Sequence, residues 1–163
     1  MAVGRRSATH ALLWRAGGTV TDLGSLGGDF WHTPMAINNR GDVVGFSNPP
    51  DGDIDGDSLR AFLWTRSGGM KDLGRIPGDA FSEALGINAR GQIVGVSCAD
   101  LCQAVLWLDG KLLKLKDLVD PAFSDLLWSA RDINDSGQIT GRLIEHDTGN
   151  FVTYVATPFA PTP

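Results

Sequence analysis

Glutamate and lysine are nearly missing from this chain. Of its 19 acidic residues only Glu83 and Glu145 are glutamates, and Lys71, Lys111, Lys114 and Lys116 are its only lysines. Both residue types favour helices, whereas aspartate, which supplies the remaining acidic side chains, prefers turns and caps. A helical bundle is therefore excluded. Clustered basic residues are lacking too: 14 Lys and Arg against 19 Asp and Glu leave a net charge of −5, which argues against nucleic acid or an anionic membrane as partner. Long apolar runs are missing as well. Arg5 and Arg6 are not followed by an apolar stretch of seven residues, so no signal peptide is visible, and mean hydropathy near zero fits neither a membrane span nor a disordered acidic tail. What the 163 residues do hold is glycine, 21 of them, with 8 prolines, the punctuation of many short strands in a single domain.

Three copies of one unit fill the chain. His10-Ala-Leu-Leu-Trp14, Arg60-Ala-Phe-Leu-Trp64 and Gln103-Ala-Val-Leu-Trp107 open them. Thr21-Asp-Leu-Gly-Ser-Leu26, Lys71-Asp-Leu-Gly-Arg-Ile76 and Lys116-Asp-Leu-Val119 follow, and then Ile37-Asn-Asn-Arg-Gly41, Ile87-Asn-Ala-Arg-Gly91 and Ile133-Asn-Asp-Ser-Gly137. Each copy closes on an apolar strand, Asp42-Val-Val-Gly-Phe-Ser47, Gln92-Ile-Val-Gly-Val-Ser97 and Gln138-Ile-Thr-Gly-Arg-Leu143. A period of 40 to 50 residues marks a stacked or radial repeat, because one unit of that size cannot bury its own apolar face. The units run over about 10–59, 60–102 and 103–152, with a terminal strand and Pro-rich tail at 153–163.

Every unit offers four strands. Asp109-Gly110 is a two-residue hairpin signal, Thr65-Arg-Ser-Gly-Gly69 turns the first strand into the second, and the Asn-x-x-Gly motifs cap the turn between strands three and four. The expected fold is all-β and of β-propeller type: three four-stranded blades plus one extra strand. Three blades do not close a ring, since propellers typically have four to eight, so the expected assembly is a homo-oligomer, with a dimer favoured. Trp14, Trp64 and Trp107 recur in register and are expected to pack between blades.

The sequence Ala61-Phe-Leu-Trp64, Gly68-Gly-Met-Lys-Asp-Leu-Gly74 and Ile87-Asn-Ala-Arg-Gly-Gln-Ile-Val-Gly-Val-Ser97 resembles the HAF-repeat family, described as extracellular repeat proteins. The likeness covers residues 10–156 and is strongest in the second copy; only the first keeps the family's histidine, as His10. The resemblance implies a propeller-type repeat and an extracellular or cell-surface location, and it implies no particular activity.

Candidate sites follow from loop positions. Loops between strands two and three, and between consecutive units, project from one end of each unit. That end carries Phe30, Trp31, His32, Phe81 and Trp128, with Asp29, Phe123 and Leu127 nearby. Aromatic rings there either stack on a ligand such as a sugar or pack between blades. Asp51-Gly-Asp-Ile-Asp-Gly-Asp57 places Asp51, Asp53, Asp55 and Asp57 at alternate positions, a partial calcium loop without the carboxylate at its twelfth position, or else a solvated acidic insertion. Cys98 and Cys102 form either a disulfide across a tight turn or two free thiols. No catalytic constellation is recognisable, and His32 beside Trp31 is the best single candidate for a site histidine. The expected function is a non-enzymatic binding or interaction module for a carbohydrate or protein ligand. Alternatives are a polysaccharide hydrolase or lyase working from the aromatic and Asp-rich loop end, and a purely structural repeat.

Overall fold

In a computed structural model, which describes residues 10–50, 52 and 58–159, the alternation of apolar and turn residues produces thirteen strands. They are β1 (Leu12–Trp14), β2 (Val20–Asp22), β3 (His32–Ile37), β4 (Val43–Ser47), β5 (Arg60–Thr65), β6 (Gly69–Asp72) and β7 (Phe81–Ile87). There follow β8 (Ile93–Cys98), β9 (Cys102–Leu108), β10 (Lys111–Lys114), β11 (Leu126–Ile133), β12 (Ile139–Ile144) and β13 (Phe151–Ala156). No α-helix occurs among the described residues, and the 3₁₀ turn Leu115–Leu118 is the one helical element there. All pairing is antiparallel, in four sheets ordered β1-β2, β3-β4-β5-β6, β7-β8-β9-β10 and β11-β12-β13.

The sheets are offset from the sequence repeat by half a unit. Each four-stranded sheet takes the last two strands of one copy and the first two of the next, so no sheet coincides with a unit at 10–59, 60–102 or 103–152. Inter-unit connections therefore lie within a sheet, and inside a unit the connection between strands two and three crosses from sheet to sheet. The offset leaves a two-stranded first sheet and a three-stranded last one.

Repeated local chemistry shapes the strands. In Asp-Leu-Gly the aspartate caps the turn out of the sheet: Oδ1 of Asp22 and Asp72 accepts the Gly24 and Gly74 amides at 2.9 and 2.7 Å, and both glycines adopt positive φ. Val119 holds that place in the third copy, where a β-branched residue disfavours positive φ, and the chain winds through the 3₁₀ turn at Leu115–Leu118 instead. A bulge interrupts each of β3, β7 and β11. Opposite it stand Gly45, Gly95 and Gly141, where an added Cβ would lie 2.0, 1.9 and 2.0 Å from the carbonyl oxygens of Thr33, Glu83 and Ser129. The recurring glycine of strand four is thus a close-approach requirement.

Apolar clusters fill the space between consecutive sheets. Ala11, Leu23, Val43, Phe62 and Trp64 join the first to the second. Val44, Ala61, Ala84, Ile87, Ile93, Val105 and Trp107 join the second to the third, and a cluster from Val94 to Leu143 joins the third to the fourth. Trp64 and Trp107 are 6% and 4% exposed, and the Trp107 indole N–H donates to the Leu73 carbonyl of the preceding sheet at 2.8 Å. Burying one such ring is worth about 4–6 kcal/mol at 25 cal/mol per Å² over roughly 150–250 Å². Trp14 departs from the expectation for the three tryptophans: it is 66% exposed. Each tryptophan packs against the sheet before its own, and Trp14 belongs to the first.

An asparagine ladder ties the far ends of the sheets together. Asn38, Asn88 and Asn134 each accept two amides of their own turn on Oδ1. Asn38 Nδ2 also donates to the Asn88 carbonyl, and Asn88 Nδ2 to the Asn134 carbonyl, both at 3.1 Å.

Candidate loop-end site

Strand pairing gathers the loops as expected. His32, Ser47 and Arg60 align across the second sheet, Ser82, Ser97 and Gln103 across the third, and Leu127, Leu143 and Val152 across the fourth. Each sheet brings the start of its first strand, the end of its second and the start of its third to one end.

The polar residues at that end hold the chain crossings. Ser47 Oγ accepts the Leu26 amide at 3.1 Å and lies 2.8 Å from His32 Nδ1. In the next copy Ser97 Oγ accepts the Ile76 amide at 3.0 Å and donates to Asp79 at 2.6 Å. Ser82, equivalent by register to His32, accepts the Ala61 amide and donates to the Gly74 carbonyl, each at 3.0 Å. These side chains are buried, and each pins a strand-two-to-three crossover onto the sheet that follows or precedes it. In the third copy Leu143 replaces the serine and Leu127 the His32 equivalent, so there the same place is apolar.

The sequence-predicted residues separate into two groups. His32 is 4% exposed, and burial, reinforced by the nearby charge of His10, holds its pKa below the ordinary 6.5. It is a neutral structural side chain at pH 7. Leu127 is likewise a core residue. Trp31 is 44% exposed, its backbone fixed on Asn48 by a 2.7 Å bond from its N–H to Oδ1 and a 2.9 Å bond from the Asn48 N–H to its carbonyl. Phe30 and Phe81 are half-buried, and Phe81 occupies in the third sheet the register position next to Ser82 that Trp31 occupies next to His32. Trp128 sits at a second bulge of β11, between Leu127 and Ser129, is half-buried, and stacks edge-on against Phe151 with ring centroids 5.3 Å apart. The second, third and fourth sheets thus each present aromatic rings at this end, Phe151 being a second ring on the fourth.

Cys98 and Cys102 pair across the β8–β9 turn at the same end, with sulfurs 2.08 Å apart in a disulfide. Asp51, Asp53, Asp55 and Asp57 lie outside the described residues. Among those that are described, no three His, Cys, Asp or Glu side chains converge as a metal set. The pinning serines escaped sequence reasoning, although Gly-x-Ser recurs in the first two copies and is lost in the third, which is the signal that could have found them.

No known protein family, curated protein or solved structure matches the chain.

Proposed function

We propose that this protein is a non-enzymatic binding module on a β-propeller-type scaffold, working outside the cell, with a carbohydrate as the class of ligand. One observation carries the reading. At the loop end His32, Asp79 and the serines are buried and committed to holding crossovers, while the Trp31 ring stands 44% exposed. An exposed aromatic face suits stacking on sugar rings, and side chains committed to the crossovers are not available for bond cleavage. The stacking of equivalent sheets, each joined to the next by a strand-two-to-three crossover, supports a propeller, and a homo-oligomer would bring the blades to a number at which propellers close. The disulfide fits an oxidising compartment, in agreement with the location that the HAF-repeat likeness implies.

Titration of soluble polysaccharides while tryptophan fluorescence is followed tests the reading. Trp31→Ala should weaken binding at least tenfold and move the melting temperature by less than about 2 °C, since an exposed ring contributes little to the core. Unchanged affinity across a panel of neutral and acidic glycans would refute the carbohydrate assignment, and bond cleavage detected in the same mixtures would refute the non-enzymatic one.

A further inference from the structure

A cavity of about 620 Å³ lies between the third and fourth sheets, with Leu106, Leu108, Leu118, Phe123, Ile139 and Ala156 in its wall. Its position follows from register. Trp64 pairs with Val43 and Trp107 with Ile93; the residue that pairs with the equivalent Ile139 is Ala156 of β13. Where the second and third sheets insert an indole against the sheet before them, the fourth inserts a methyl group. Trp107 packs beneath Leu73, and the residue equivalent to Leu73 beside the cavity is Leu118, left 49% exposed.

The strand that would fill the gap exists in the same sequence. β1 ends on Trp14, matches β5 and β9 in Ala-x-Leu-Trp, and among the described residues pairs with β2 alone. β13 resembles those strands less: it lacks the tryptophan, and Phe151, Val152 and Val155 are exposed on it. The asparagine ladder is open at the same two ends. Among the described residues no asparagine donates to the Asn38 carbonyl, and Asn134, the last acceptor in the row, donates its Nδ2 to Gln138 of its own turn.

We propose that the cavity is the receptor for Trp14 of a second copy of this chain: β1 and β2 of that copy displace β13 and pair with β12, Trp14 opposite Ile139. The last sheet then becomes β11-β12-β1-β2, four-stranded like the others, and Asn134 is positioned to donate to Asn38 of the second copy. Done reciprocally, two chains give six four-stranded sheets, within the range at which propellers close. The exchange gives up the β12–β13 ladder and the Tyr154 hydroxyl bond to the Ser129 carbonyl for pairing with β1, and what offsets that loss is the covering of Trp14 and the filling of the cavity. The proposal rests on the oligomeric-propeller reading above and adds to it the strands that are exchanged.

Light scattering of the intact protein, of Trp14→Ala and Ala156→Trp, and of a Leu13→Cys/Thr140→Cys variant separates the two claims. The wild type should have twice the 17.4 kDa chain mass. Trp14→Ala should weaken association at least about thirtyfold, the size expected of a buried tryptophan anchor. Ala156→Trp, which supplies the missing indole from within, should give single chains that melt no lower than the wild type, so that loss of association is not loss of folding. Leu13 and Thr140 face each other in the exchanged register, and their cysteine variant should form a reducible covalent dimer. A wild type of single-chain mass would overturn both the oligomeric reading and this inference. A wild-type dimer that both tryptophan variants leave intact, or a Leu13–Thr140 link formed within one chain, would overturn the exchange alone.

Discussion

Replacing Ser97 by alanine should destabilise this protein far more than removal of one hydroxyl from a β-strand ordinarily does. Ser97 is fully buried, and its Oγ serves two partners on the crossover between the second and third sheets. Without it the Ile76 amide loses its acceptor in a part-buried bond, which costs toward the lower end of about 1–3 kcal/mol. The Asp79 carboxylate, itself buried, loses a hydrogen bond of the charged class, worth about 1.5–3 kcal/mol. The expected loss is about 4 kcal/mol, and at about 2–4 °C per kcal/mol for a domain of this size the melting temperature should fall by about 8–16 °C. Scanning calorimetry reads the shift, and amide exchange at Ile76 should accelerate with it. A double-mutant cycle with Asp79→Ala separates the two terms: removing the carboxylate as well as the hydroxyl leaves one orphan in place of two, so the double variant should be at least about 1 kcal/mol more stable than additivity gives. A shift under 2 °C for Ser97→Ala, or strict additivity in the cycle, would show that the serine merely occupies space.

Glu83 on β7 is pushed above its ordinary pKa of 4.5 by burial, with Arg131 opposing the shift. Its folded pKa is raised, so its protonated form favours the fold below pH 4.5 and that contribution is lost as pH rises through the shifted value. Glu83→Gln should therefore raise the melting temperature at pH 7 and leave it unchanged at pH 4; an equal gain at both values would contradict the assignment. For Asp51, Asp53, Asp55 and Asp57 we infer weak calcium binding: ten millimolar calcium should raise the melting temperature relative to chelator, and the rise should vanish in Asp53→Asn/Asp55→Asn. Calcium without effect on melting would leave a plain acidic insertion.

Much of the architecture could be read from residues whose chemistry is local. Asn-x-x-Gly encodes its own turn, because the asparagine carbonyl and the glycine act within a few residues, and all three copies form it. The Asp109-Gly110 hairpin appears with positive φ at both positions, as its type demands. Where sequence reasoning fell short, the missing information was relational. His32 looked like a loop residue with a site role and is a buried partner of Ser47, because the hydroxyl that claims it comes from another strand of the same sheet. Trp14 carries the same motif as Trp64 and Trp107 and has a different environment, since burial depends on whether a preceding sheet exists and not on the motif. The cavity at Ala156 was invisible for the converse reason: an alanine in a strand looks ordinary until register places it where two tryptophans stand.

The half-unit offset links these observations. A cyclic pattern of four strands reads identically from any starting strand, so the repeat in the sequence carries no phase; phase is set by which turns can close a sheet and which must cross between sheets. Asp-Leu-Gly ends strand two by turning the chain out of its sheet, and the serine at the end of strand four then receives the crossover, as Ser47 and Ser97 do. Those two residues hold each crossover to strand four of its own copy, while strands one and two pair with the copy before them. Any stretch of whole units cut to this sequence pattern must then leave strands one and two unpartnered at its front and strands three and four without their continuation at its back. The two ends are complementary by construction, since each lacks what the other carries. Here the front end keeps its tryptophan exposed and the back end keeps an indole-sized deficit inside a larger cavity, which is the mismatch on which the proposed exchange rests.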